Sequence, residues 1–332
     1  MNQHVRISYA IILVLAILTV GLHLGTFLLT ALFGYLILQL FCFGGRKALS
    51  VALFLVTVAI IGAGVVYFSS LAYRTLPKIA EISIPAMVEF AERNGIDLPF
   101  TDYASLKQTA LDEAREGFAI IGQYARVASF QFVLVLAGLV VALSIFLSGG
   151  WTVRKTAPLA PGTLYFEVTR EITARFRTLY ESFARAMRAQ IAISAINTVL
   201  TALFLTFRGY PSAVLLTLFV FLCGLLPIVG NIISNTLIVV VGFAISPRTG
   251  LYALAFLIVI HKLEYFLNSK IVGKRINSPI WLTLIGLVVG ERLMGISGMI
   301  LAPAILHYIR VEASALRSSP ELDFELESRS TM

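Results

Sequence analysis

Residues 7–45 run for 39 positions without an Asp, Glu, Lys or Arg, and residues 209–247 do so again. A transmembrane helix needs about 20 consecutive apolar residues, so each run holds two helices. Shorter uncharged runs at 48–73, 127–153 and 189–207 add further spans. Charged residues make up only 13% of the chain, against about 25% in soluble proteins. The expected fold is all-α: a polytopic membrane protein with about eight transmembrane helices, a C-terminal re-entrant-type hairpin and amphipathic interfacial helices.

The net charge of +8 fits cationic loops held on the cytoplasmic side of a bilayer. Nucleic acid is not an expected partner, because no basic soluble domain exists to carry it. Arg6 and the Arg46-Lys47 turn flank a first hairpin of helices 7–22 and 24–43, broken at Gly21-Leu22-His23. That hairpin reads as retained rather than as a cleaved leader, and a third helix covers 49–72. Residues 73–128 hold six basic and eight acidic residues, interrupted by Pro77, Pro85, Asn94-Gly95 and Pro99. They read as an extracytoplasmic amphipathic segment with a helix from Asp102 to about Gln123.

Helix 129–149 returns to the cytoplasm. The segment 150–188 then carries seven basic and three acidic residues. Its stripe Tyr165, Val168, Ile172, Phe176, Leu179, Phe183, Met187 predicts a basic amphipathic helix. Interfacial anchoring is its first reading; packing or gating is the second. The remainder divides into helix 189–207, a hairpin 211–246, helix 250–268, a hairpin 279–309 and a polar acidic tail from Glu312. The chain thus divides at 1–72, 73–128, 129–149, 150–188, 189–309 and 310–332, with both termini cytoplasmic.

Cys42 and Cys223 lie in apolar stretches and read as small hydrophobes. His4, His23, His261 and His307 are scattered, so no metal or other cofactor is expected. No nucleotide-binding or catalytic motif is present, and the chain is not expected to be an enzyme.

Charges and helix breaks at membrane depth mark pathways or packing joints. Three places qualify. Pro227, Gly230, Asn231 and Asn235 interrupt the hairpin 211–246; freed carbonyls and two amides there either line a polar path or close a tight turn. Glu264, with Asn268 one turn on, either carries a cation or proton or pairs with Lys262, Lys270 or Arg275. Glu291 and Arg292 sit at the expected tip Gly290-Glu291-Arg292 of the last hairpin. Residues 280–290 cover only about 16 Å as a helix, short of the roughly 30 Å hydrocarbon core, so that hairpin is expected to be re-entrant. Gly286, Gly290, Gly295 and Gly298 would let its helices pack closely.

LLPIVG at 225–230, HKLEYFLNSKIVGKRINSP at 261–279 and LIGLVVGERLMGISGMILAPAI at 284–305 carry a family resemblance. The chain resembles the autoinducer-2 exporter (AI-2E, PerM-like) transporters. It departs from their pattern at Ser269 and Asn231, where such proteins often have proline, and at Ser278, where they often have histidine. The resemblance implies a bacterial inner-membrane protein, able to form a homo-oligomer, that exports a small polar solute such as autoinducer-2. Sodium/proton antiport is a second implied activity. A non-transporting membrane scaffold is the alternative from another class. The lipid bilayer, a small polar solute or cation, and further copies of the chain are the partners implied.

Overall fold

A computed structural model of the chain describes residues 3–42, 45–93, 118–151, 162–227, 229–272 and 279–315. These form α1 (Gln3–Gly21), α2 (Gly25–Leu40), α3 (Lys47–Arg93), α4 (Phe118–Leu147), α5 (Leu164–Phe207), α6 (Ala213–Gly224), α7 (Val229–Ile245), α8 (Pro247–Val272) and α9 (Ile280–Ala315). Stretches long and apolar enough to cross a membrane lie at Gln3–Gly21, Lys47–Thr75, Val127–Leu147, Leu164–Phe207 and Trp281–Ser314. Large apolar side chains cover their outer faces, including Ile17, Val66, Phe132, Val199 and Val288. In water such surface would drive aggregation; against lipid it is the stable arrangement.

α5 organises the rest. Thr163 caps it by accepting a hydrogen bond from the Phe166 amide at 3.3 Å, and no Pro or Gly follows until Gly209. At 1.5 Å per residue its 44 residues reach about 66 Å, roughly twice a hydrocarbon core. The expected boundary at residue 189 is absent, because nothing between Met187 and Ala189 breaks a helix. The stripe expected at an interface is largely internal. Phe183 and Met187 are buried in a core cluster with Leu36, Phe54, Ala142 and Leu301, which joins α2, α3, α4, α5 and α9. Phe33 meets Phe183 edge-on at 5.0 Å. The far half of α5 builds a second cluster, in which Leu205 packs with Ile79, Leu216, Ile238 and Ala253 from α3, α6, α7 and α8.

α3 does not stop near residue 72. It continues through Pro77 and Pro85 to Arg93, despite roughly 3 kcal/mol for an interior proline. Ile79, buried between the two prolines in the second cluster, supplies an offsetting contact. The helix expected over 102–123 falls mostly outside the described residues, but α4 begins at Phe118, well before the expected 129. Among the cysteines, Cys223 is buried in α6 while Cys42 is exposed just past α2.

α9 folds back on itself. Its helical backbone breaks at Met294 (φ −141°) and Gly295 (φ +61°, ψ −143°). Gly290 packs on Gly298, and Gly286 on the Leu306 side chain. The tip therefore lies about four residues beyond the expected Gly290-Glu291-Arg292. Gly290 is used in the contact between arms, whereas Gly295 supplies the backbone conformation that glycine alone adopts freely. No atom lies within 4 Å of a Cβ placed on Gly295, so the effect of Gly295→Ala is backbone strain alone. We expect a loss of about 1–3 kcal/mol, read as a lower Tm of the purified protein.

The tip of α9 rests against the start of α2. A Cβ on Gly25 would lie 2.9 Å from the Met294 Cβ, and Thr26 Oγ1 is 3.3 Å from Ser297 Oγ. At the other end of this hairpin pair, buried Arg175 of α5 lies 3.9 Å over the Tyr9 ring of α1. It also faces Glu171 at 3.3 Å and Glu312 at 3.6 Å. Tyr9 donates to Glu312 Oε2 at 3.1 Å. Glu312, expected to open the polar tail, is thus part of α9 and joins three helices. Removing one partner of a buried ion pair costs about 3–5 kcal/mol. Because the glutamates keep some exposure, Arg175→Met should lower stability by about 3 kcal/mol, measurable by thermal unfolding.

Candidate functional site

α6 and α7 form a hairpin broken at Leu225–Pro227. The last carbonyls of α6 have no partner within their own helix, and α5 supplies two. Gln190 Nε2 donates to the Gly224 carbonyl at 2.7 Å, and Ser194 Oγ to the Phe221 carbonyl at 3.0 Å. The chain then turns so tightly that Gly230 lies against the Cys223 carbonyl, where a Cβ would overlap it. Val229 N donates to the Pro227 carbonyl at 2.7 Å. Gly230 and Asn231 thus belong to the first turn of α7, just past the break.

The first turn of α7 faces α8. Asn231 Nδ2 donates to Glu264 Oε1 at 2.5 Å, which joins two candidate sites from distant parts of the sequence. Glu264 is half-buried, while Lys262, two residues away, is exposed. Among the described residues no ion pair holds Glu264; of the other expected partners, the Lys270 side chain and the whole of Arg275 lie outside the described residues. Asn235 is half-buried one turn along α7. Asn268 falls within α8, but its side chain also lies outside the described residues.

Glu291 and Arg292 do not join this site. They precede the α9 tip as exposed residues, 3.7 Å apart. An adjacent exposed pair contributes little stability. Among the described residues no group of three His, Cys, Asp or Glu side chains is arranged to hold a metal ion.

Sequence reading passed over other polar groups. His307 is buried, with Nδ1 3.0 Å from Ser182 Oγ and Nε2 3.3 Å from Arg185 Nη1. Arg only donates, so Nε2 is the acceptor and Nδ1–H donates to Ser182. On α5, Ser194, Asn197 and Thr201 are also buried. Their spacing of three and four residues within an uncharged run was the available signal for a shared face.

An all-α bundle with lipid-facing apolar surfaces, a broken hairpin and a carboxylate tied to an amide at the break defines a multi-pass membrane protein of the transporter class. The AI-2E family transporter model matches residues 6–317, and the chain belongs to that family. It is similar to "Putative transport protein YdbI" of Bacillus subtilis, 28% identical over 204 residues, 59% of this chain and 56% of that protein. It is also similar to "Putative transport protein YueF" of the same organism, 30% identical over 139 residues, 41% of this chain and 37% of that protein. The matches thus span about half or less of these curated relatives. No solved structure matches the chain.

Proposed function

We propose that this protein exports a small polar solute across the bacterial inner membrane, with the autoinducer-2 signal as the first substrate to test. The observation that carries the reading is the Asn231–Glu264 hydrogen bond. It holds a carboxylate, with a neutral amide as its partner, beside the broken tip of a hairpin. Broken helices at membrane depth line cavities in transporters, and an intramembrane carboxylate is a functional group by default. Pro227, Gly230, Asn231, Asn235, Glu264 and Asn268 form the proposed pathway group; Glu291 and Arg292 stand apart as a tip pair. The positive charge at Arg6, Arg46, Lys47 and 150–188 supports an orientation with both termini in the cytoplasm.

The second reading is sodium/proton antiport at Glu264, favoured by the absence of a Lys or Arg ion pair to the carboxylate among the described residues. Purified protein in vesicles separates the two. Uptake of autoinducer-2 into inside-out vesicles supports export, whereas sodium-driven proton movement without uptake supports antiport. Folded, correctly oriented protein with neither activity would favour a membrane scaffold. The re-entrant hairpin has its own test. With Cys42→Ser and Cys223→Ser as background, Glu291→Cys should react slowly with an impermeant maleimide added outside, and rapid labelling there would show a fully spanning hairpin.

A further inference from the structure

The outward half of α5 carries three polar side chains on its buried side, between Ile193 and Leu205. Ser194, Asn197 and Thr201 are 2%, 6% and 2% exposed, whereas Val199 is 59% exposed. Residues spaced three and four apart share one helix face, and Ser194 shows where that face points: its hydroxyl reaches the Phe221 carbonyl of α6. Asn197 Oδ1 is buried with no hydrogen-bonding partner among the described residues, and the adjacent Thr198 Oγ1 is likewise unpartnered. A buried polar group left without a partner is costly, and each one needs an explanation such as a ligand or an ordered water.

Depth along the bundle links this stripe to Glu264. Phe204 of α5 stacks on Phe256 of α8, ring centroids 4.3 Å apart. α5 approaches Phe207 where α8 leaves Pro247, so the two helices run in opposite senses. Seven residues back from Phe204 lies Asn197; seven forward from Phe256 lies Leu263, next to Glu264. Asn197 therefore reaches the same depth as the carboxylate.

The geometry points to Ser194, Asn197 and Thr201 of α5, on the face that meets α6, as a second wall of the solute path at the depth of Glu264. This deepens the export reading and rests on it for the solute. The wall is uncharged, and its amide and hydroxyl groups both donate and accept. About one helical turn separates successive groups, roughly 5 Å. That pattern suits a small uncharged molecule with several hydroxyls, handed from one group to the next. Asn197 Oδ1 accepts a hydroxyl hydrogen at the depth of Glu264. The stripe ends at Leu205, buried in the second cluster, which closes the outward end.

The test uses full-length protein in lipid vesicles with Cys42→Ser and Cys223→Ser. Single cysteines are placed at Asn197→Cys, Thr201→Cys and Val199→Cys, and labelling by an impermeant methanethiosulfonate is timed. Labelling at 197 and 201 at least tenfold faster than at 199 is expected; equal or slower labelling overturns the wall. If Asn197→Cys does not fold, Thr201→Cys against Val199→Cys carries the same comparison. Autoinducer-2 should slow labelling at 197, while sodium chloride should not. Protection by sodium alone overturns the uncharged-solute assignment. Labelling of this pattern in vesicles that do not take up autoinducer-2 would keep the wall and remove the export reading, so the two fail separately.

Discussion

Glu264→Gln should reduce initial transport about ten- to hundredfold while leaving the protein folded. The replacement keeps size and an acceptor oxygen, so Asn231 Nδ2 retains a partner and α7 stays joined to α8. Only the negative charge is lost. Hydrogen bonds to charged groups contribute about 1.5–3 kcal/mol, and 1.4 kcal/mol is a factor of ten, which sets the range. Initial rates in vesicles, compared at equal amounts of protein with unchanged Tm, provide the measurement. Wild-type rates for both solute and proton movement would remove Glu264 from the mechanism. Asn231→Leu is a useful companion, because it leaves the charge and removes the group that orients it.

Gly298→Ala should be strongly destabilising for so conservative a change. A methyl there would overlap the Gly290 carbonyl and come within 3.1 Å of the Met294 Cβ. The principal obstacle is backbone rather than a flexible side chain, so the arms of α9 must move apart. Overpacking costs typically 1–3 kcal/mol and occasionally more; about 3 kcal/mol is expected, with a corresponding fall in Tm. Gly62→Ala and Gly64→Ala on α3 are matched controls. Nothing lies within 4 Å of a Cβ at either position, so relief of glycine's helix penalty should leave stability unchanged or raise it by up to about 1 kcal/mol. Equal losses at all three sites would show that the arms of α9 are not in backbone contact.

The apolar helices were legible because uncharged runs report directly on the solvent around them. The hairpin break near Pro227 was legible for the same kind of reason, since proline and glycine act on the local backbone. Helix ends near charged residues were harder to place. Met187, Arg188 and Ala189 mark a change in composition, but all three are compatible with helix, and α5 runs through them. The tip of α9 was misplaced because four glycines look alike in sequence, and only the fold distinguishes those packed against backbone from the one at positive φ. Asn231 and Glu264 were each visible singly. Their meeting depends on α7 and α8 lying side by side, a pairing across 33 residues that no local pattern encodes. The α5 stripe was hidden for the opposite reason: Ser, Asn and Thr in an uncharged run look innocuous until it is known which side of the helix is covered.

The unbroken length of α5 limits how the protein can move. Both clusters are built on this one rod, one near Phe183 and the other near Leu205. A stiff rod without a glycine or proline joint offers no hinge at which the two ends could turn separately. On the proposed export reading, alternating exposure of the pathway would arise in the hairpins beside it. The α6–α7 tip is suited to that role, since two side-chain hydrogen bonds from α5 hold it and both can be exchanged for water.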